Sequence, residues 1–374
     1  MKKVSIYFWE PVLSPHKSSL FQQLSVHCDV SEVWCIAQAT LTSDRVSQGW
    51  SMPDMPGVNI VIAPDQSQVT QIVECSTPNS IHVFSGIHWV PCIVQGIKAT
   101  LRAGRRFGIM SEPRASEGIL GVLRLCHSWT TEKRIRRNAQ FVLAIGRNGP
   151  TWFRSSGYSL GKIFPFAYFL TPVKISEATE RSARGRGRIR IAYVGRLTRD
   201  KGFHIFLKAL EKLSSLVEVT IIGAGEELAL LASFIEQKEI PLDYVEAVPM
   251  EEMPAYLSQS DVVVVPSTVK DGWSAVVSEA LFAGAAVVAT TNVGASICLT
   301  DDFLGVVTKS GSDEAIAQGV EHLINCGALS DMNRRLRSEW AAKHLTGEVG
   351  AQYLLQIFRH TFEDGVRPLP FYAG

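Results

Sequence analysis

Pro266–Ser267–Thr268–Val269–Lys270–Asp271–Gly272–Trp273–Ser274–Ala275–Val276–Val277–Ser278–Glu279 is the stretch on which the fold of this chain turns. Asp261–Val262–Val263–Val264–Val265 precedes it, a short β-branched run that suits a strand buried on both faces of a parallel sheet. Ala275–Leu281 follows and favours helix. Strand, turn of small residues and helix together aim the free N–H groups of a helix start at an anion. Asp271 and Glu279 bracket the turn. An anion site flanked by carboxylates suits a phosphorylated ligand that also carries hydroxyl groups, as a nucleotide sugar does.

The same alternation extends in both directions. Arg190–Val194, Glu218–Ile222, Leu242–Val245, Val262–Val265, Val287–Ala289 and Gly305–Val307 are expected strands. Between and after them, helices are expected at Phe203–Leu213, Glu226 to about Lys238, Met250–Ser258 and Ser312–Asn325. Upstream, strands are expected at Val4–Trp9, Val33–Ala37, Val58–Ala63, Ile81–Ser85, Arg106–Met110 and Phe141–Ile145, with helices at Ser18–Cys28, Val90–Ala103 and Gly121–Asn138. Alternating strands and helices predict an α/β protein with doubly wound parallel sheets. The polar stretch 171–188, with Arg181–Ser–Ala–Arg–Gly–Arg–Gly–Arg188, has the composition of a linker. Two domains result, 1–170 and 189–345. The amphipathic Gly347–His360 and a Pro-rich tail (346–374) are expected to pack back on the N-terminal domain.

At 374 residues and 46% apolar composition, the chain can bury two cores. The formal charge of +1 excludes a polyelectrolyte binder, and no nucleic-acid partner is expected. The charge is unevenly spread, with 17 Lys/Arg against 10 Asp/Glu in residues 1–170. The basic segment Arg124…Lys133–Arg134–Ile135–Arg136–Arg137 lies beside Leu120, Val122, Leu123, Leu125 and Trp129. Two readings stay open for it: peripheral contact with an anionic membrane, or core burial of the apolar residues under solvated arginines. No run reaches the roughly 20 apolar residues of a membrane span. The seven scattered cysteines contain no C-x-x-C pair, so buried free thiols in a cytoplasmic protein are expected, with no metal site.

Gly195–Arg196–Leu197–Thr198–Arg199–Asp200–Lys201–Gly202 follows an expected strand and precedes a helix. Gly195 lets the backbone approach a ligand, and Arg196 and Lys201 are two cations suited to a diphosphate. Gly223–Ala224–Gly225 follows the next strand but lacks the third glycine of G-x-G-x-x-G, where Leu228 stands. It is read as a tight loop approaching the nucleotide, not as a dinucleotide fingerprint. No nucleophile elbow, H-x-x-x-H pattern or P-loop is present in the sequence.

Gly195-Arg196…Lys201-Gly202, Gly223-x-Gly225, Pro266-Ser267…Asp271-Gly272-x7-Glu279 and Ala280…Gly284-x-x-Val287-Val288-Ala289-Thr290, in this order, resemble the C-terminal half of GT-B glycosyltransferases, most closely the retaining family 4. The resemblance covers about residues 190–295. It implies two Rossmann-like domains facing each other across a cleft, and a hexosyl- or related sugar transfer from a nucleoside-diphosphate sugar with retained configuration. It implies no metal or other cofactor. By position, Arg196 and Lys201 would hold the donor diphosphate, Glu279 the ribose and Asp271 the donor sugar. The backbone of Gly272, Trp273, Ser274 and Ala275 would meet phosphate or sugar oxygens. Asp271 stands where the family usually has Glu, Trp273 and Ser274 where it has Phe and Gly, and Ala286 where it has Pro.

In the N-terminal half the family's glycine-rich loop is absent, and Pro15-His16…Leu20-Phe21-x-x-Leu24 is similar to a known variant. Glu112, in Met110–Ser111–Glu112–Pro113–Arg114, is the candidate pocket carboxylate, with Arg114 pairing to it or binding an acceptor phosphate. His16 and His88 are further acceptor-side candidates. The expected acceptor is a saccharide or lipid-linked saccharide in surface-polysaccharide assembly, reached at the inner face of the cytoplasmic membrane. Two other functions remain open: a nucleotide-sugar-binding partner subunit without turnover, and a nucleotide-sugar epimerase.

Overall fold

The computed structural model describes residues 3–47, 49–115, 117–172, 187–213, 217–246 and 248–373. Most of the expected linker, residues 173–186, lies outside the described residues. The chain divides into two compact units. The first holds the chain up to Ser43, Ser51–Thr171 and everything from Leu345 onward, and the second holds Asp44–Trp50 and Pro172–His344.

The first unit is built on seven strands: β1 Val4–Val12, β2 Val30–Ala39, β3 Val58–Ile62, β4 Ile81–Ser85, β5 Arg106–Ser111, β6 Phe141–Ile145 and β7 Ile163–Phe166. They pair in parallel in the order β3-β2-β1-β4-β5-β6-β7. β1 is buried over its first seven residues, as a central parallel strand covered on both faces must be. Trp9, Phe84, Ile93 and Ile97 meet in the core beneath the helix Pro91–Ala103. Within this unit the helix Gly347–Phe362 lies on the helix Pro15–Ser25, and Gly347 lets them close: a Cβ there would fall 2.2 Å from Ser19 Oγ.

The second unit has six parallel strands: β8 Ile189–Val194, β9 Val217–Ile222, β10 Leu242–Val245, β11 Val262–Val265, β12 Ala286–Thr290 and β13 Gly305–Thr308. Their order is β10-β9-β8-β11-β12-β13. Helix Phe203–Leu213 buries Phe203, Phe206, Leu207 and Leu210 on this sheet, the i, i+3, i+4, i+7 stripe of an amphipathic helix.

Several elements depart from expectation. The first helix starts at Pro15, not Ser18, because proline suits the first helical position after Ser14. The expected single helix Gly121–Asn138 is two, Gly118–Thr131 and Lys133–Asn138, broken at Glu132. Helix Gln66–Cys75 was not expected, although the Asp65–Gln68 capping box marks its start. β7 escapes notice because Pro165 interrupts it, which its place on the sheet edge tolerates. Of the cysteines, Cys35, Cys92 and Cys298 are buried, while Cys28, Cys75, Cys126 and Cys326 are exposed, against the expectation of buried thiols throughout. Among the described residues no helix is long and apolar enough to cross a membrane.

Candidate functional site

In the second unit the sheet order reverses between β8 and β11, and the crevice outside their carboxyl ends is where open α/β sheets bind ligands. The loops leaving β8, β9 and β11 converge there. Gly223, at φ 140°, passes so close to the β8 loop that a Cβ would lie 2.0 Å from the Gly195 carbonyl oxygen. At Gly202, φ 71°, a Cβ would lie 2.1 Å from the carbonyl oxygen of Pro266. Any larger residue at either point would force the two loops apart. Thr268 N–H donates to Asp200 O at 2.9 Å, and Thr268 Oγ1 to Arg199 O at 2.7 Å. From the end of β12, Thr290 Oγ1 donates to Ser267 O at 2.7 Å, and just beyond it Asn292 Nδ2 donates to Thr268 O at 2.7 Å.

This lacing brings Lys201 and Asp271 together. Lys201 Nζ donates to Asp271 Oδ2 at 2.7 Å, and the same oxygen accepts from Ser274 Oγ at 2.6 Å and Ser267 Oγ at 3.0 Å. Burial pushes the Asp271 carboxyl up, but the Lys201 charge and these bonds outweigh it and hold it below the usual range. Arg196 is paired with Asp200, four residues on, at 2.9 Å. The two cations read from the sequence therefore each come with an acid.

Ser274 caps the helix Ala275–Phe282 with φ 65°, a left-handed conformation that a side chain disfavours. That is the position where the resembled family carries glycine. Here the hydroxyl, tied to Asp271, holds the strained turn at the helix start. The Trp273 indole is wholly buried and donates to Ser278 Oγ at 2.9 Å, which leaves only the backbone of this candidate for a ligand contact. Glu279 makes no side-chain hydrogen bond among the described residues, and burial alone raises its carboxyl to about 7. The carboxyl stands one turn into the helix with no hydrogen-bond donor among the described residues.

The first unit holds two clusters. In one, Tyr168 Oη donates to Glu112 Oε1 at 2.7 Å and its ring stacks on His16. Lys17 lies over the same ring and bonds Glu10 at 2.6 Å and Ser85 Oγ at 2.8 Å. Glu112 and His16 are thus joined through Tyr168, a residue that nothing in its local sequence singled out. In the other, the buried Glu132 takes Arg114 Nη2 at 2.7 Å, His88 Nε2 at 3.0 Å and Tyr158 Oη at 3.2 Å. Burial raises the Glu132 carboxyl, but His88 and Arg114 reverse this and bring it to about 2. Arg114 therefore pairs with Glu132, a correction to the expected partner Glu112. The missed signal was that Glu132 is the one acid between Arg124 and Arg137.

The model of the family described as glycosyl transferases group 1 matches residues 175–342. An uncharacterized glycosyltransferase of Methanocaldococcus jannaschii is 26% identical over 204 residues, 52% of this chain and 52% of that protein. The lipopolysaccharide 1,2-N-acetylglucosaminetransferase of Salmonella typhimurium is 25% identical over 187 residues, 46% of this chain and 48% of that protein. The chain spans about half the length of the curated relatives it matches. Among solved structures, Anabaena HepE in complex with UDP is similar in fold, with a TM-score of 0.73 at 16% identity over 96% of this chain and 100% of that one. Residues 175–342 are thus similar to the glycosyl transferases group 1 family, and the chain has the α/β fold of the GT-B glycosyltransferases.

Proposed function

We propose that the protein is a glycosyltransferase that moves a sugar from a nucleoside diphosphate to an acceptor hydroxyl, with retained configuration and without a metal ion. The carrying observation is the Lys201–Asp271 pair, laced into the turn between β11 and its helix at the point where the sheet order reverses. As the bond between sugar and diphosphate breaks, negative charge grows on the leaving oxygen. Lys201, Arg196 and the N–H groups at Ser274–Ala275 stand ready to stabilise it, which does the work a metal ion does in other transferases. Glu279 accepts from the ribose hydroxyls, and Asp271 takes the donor sugar on the oxygen that Lys201 leaves open.

The state of Asp271 argues against a covalent glycosyl-enzyme route. A carboxylate with three donors on one oxygen and a lowered pKa is a poor nucleophile. The acceptor oxygen then bonds to the anomeric carbon from the face the diphosphate leaves, and its proton passes to the departing phosphate oxygen. On the acceptor side, Glu112, steadied by Tyr168, orients the incoming hydroxyl. The acceptor class is a saccharide on a cell-surface polysaccharide or lipid carrier, the kind of acceptor named for the Salmonella relative. The test is the anomer first released by proton NMR when donor is hydrolysed slowly without acceptor, in the presence of a chelator. Release of the donor's own anomer at an unchanged rate is expected. An inverted product, or activity lost with the chelator, contradicts the proposal.

A further inference from the structure

Helix Gly118–Thr131 buries only Gly121 and Ser128, with Leu125 half-buried against the core of the first unit. These three lie at i, i+4 and i+7, one narrow stripe. The rest of the helix start is apolar and open to solvent: Ile119 is 81% exposed, Leu120 63%, Val122 60% and Leu123 57%. Single exposed leucines are ordinary, but four within five residues form a patch that water disfavours. A second element meets the far end of the same helix. His88 bonds Glu132 just beyond the helix end, and its ring meets that of His127, on the helix itself, at 5.2 Å between centroids. The next residue, Trp89, is 89% exposed and held at φ 73°. A bulky side chain disfavours that region, and such strain is kept at functional positions.

Glu117 is exposed at the helix start, and beyond it the charge is basic. Between Gly118 and Asn138 the one acid is Glu132, which is buried, whereas Arg124, Lys133, Arg134 and Arg137 are exposed. Arg136 crosses the Trp129 ring at 5.0 Å and donates to the Ser128 and Trp129 carbonyl oxygens, which fixes the half-exposed indole between the apolar and basic zones. At 14 residues the helix is too short to span a bilayer. We propose that the apolar start of helix 118–131 and Trp89 dock on the surface of an anionic lipid bilayer. The apolar side chains enter the acyl boundary, Trp129 lies at the interface, and the arginines meet lipid phosphates. Glu132 ties the loop that carries Trp89 to the end of the helix through His88.

The test uses the full chain and vesicles of phosphatidylcholine with or without phosphatidylglycerol, in sedimentation and in fluorescence quenching by brominated acyl chains. Wild type is expected to bind the anionic vesicles about tenfold or more tightly than the neutral ones, less so as salt rises. Leu120→Glu/Leu123→Glu is expected to lower that binding at least about tenfold, with melting temperature and UDP binding unchanged because both positions are exposed. Trp89→Ala is expected to reduce the quenching. Wild type that ignores anionic vesicles overturns the proposal. So does a double variant that binds like wild type, or a wild-type dimer that the double substitution makes monomeric while vesicle binding stays unchanged. Vesicle binding needs no donor, so either result leaves the donor site standing or falling on its own test.

Discussion

Lys201→Ala is expected to abolish the thermal stabilisation that UDP gives the wild-type protein, with affinity down by at least about thirtyfold, or ~2 kcal/mol. The lysine side chain is 24% exposed and its partner Asp271 16%, so the pair sits where water screens little. Removing the ammonium takes away the proposed charge-assisted bond to phosphate and leaves the Asp271 carboxylate without its cation. Arg196→Ala should weaken UDP less, by roughly three- to tenfold. Its guanidinium is 49% exposed and its pairing with Asp200 is a solvated i, i+4 contact. Calorimetric titration of both variants checks the order. A Lys201→Ala protein that binds UDP like wild type removes that lysine from the phosphate site.

The second large effect is a pH dependence centred on Glu279. Its carboxyl is raised to about 7 by burial, so between about pH 4.5 and 7 the folded protein holds a proton that the unfolded chain has lost. Stability from this group therefore falls as pH rises through that window. Donor affinity is expected to move the opposite way, because in the proposed site the ribose hydroxyls donate to the carboxylate and favour its charged form. UDP binding should strengthen as pH rises through 7. Glu279→Gln should flatten both trends and bind UDP more weakly at pH 8. Melting curves and titrations across pH 5–8 measure the two slopes, and a variant that keeps the wild-type slope in UDP affinity rules Glu279 out as the ribose acceptor.

How much of this was legible depends on the distance between interacting residues. The β11 turn stood out because a buried parallel strand is a continuous β-branched run and its turn and helix follow without a gap. The same local grammar located both sheets. The Lys201–Asp271 bond joins residues 70 positions apart, and nothing in either segment says which acid meets which cation until the sheet order places β8 beside β11. Arg114 shows the hazard plainly. Glu112 is its neighbour in sequence, yet Glu132 is its partner, because the break after Thr131 turns that carboxylate inward. Trp273 misleads in another way: a Trp in a ligand turn looks like a contact surface, but the left-handed Ser274 beside it accompanies an indole sunk in the core.

The claim on which the rest depends is that the β8, β9 and β11 loops form a nucleoside-diphosphate-sugar site. The most direct measurement is the melting temperature of the full chain against a panel of nucleotide sugars and free nucleoside diphosphates, since a ligand of the folded state raises it by mass action. At least one nucleoside-diphosphate sugar is expected to raise the melting temperature, and its parent diphosphate to do so in part. A panel in which no member shifts it contradicts the donor site.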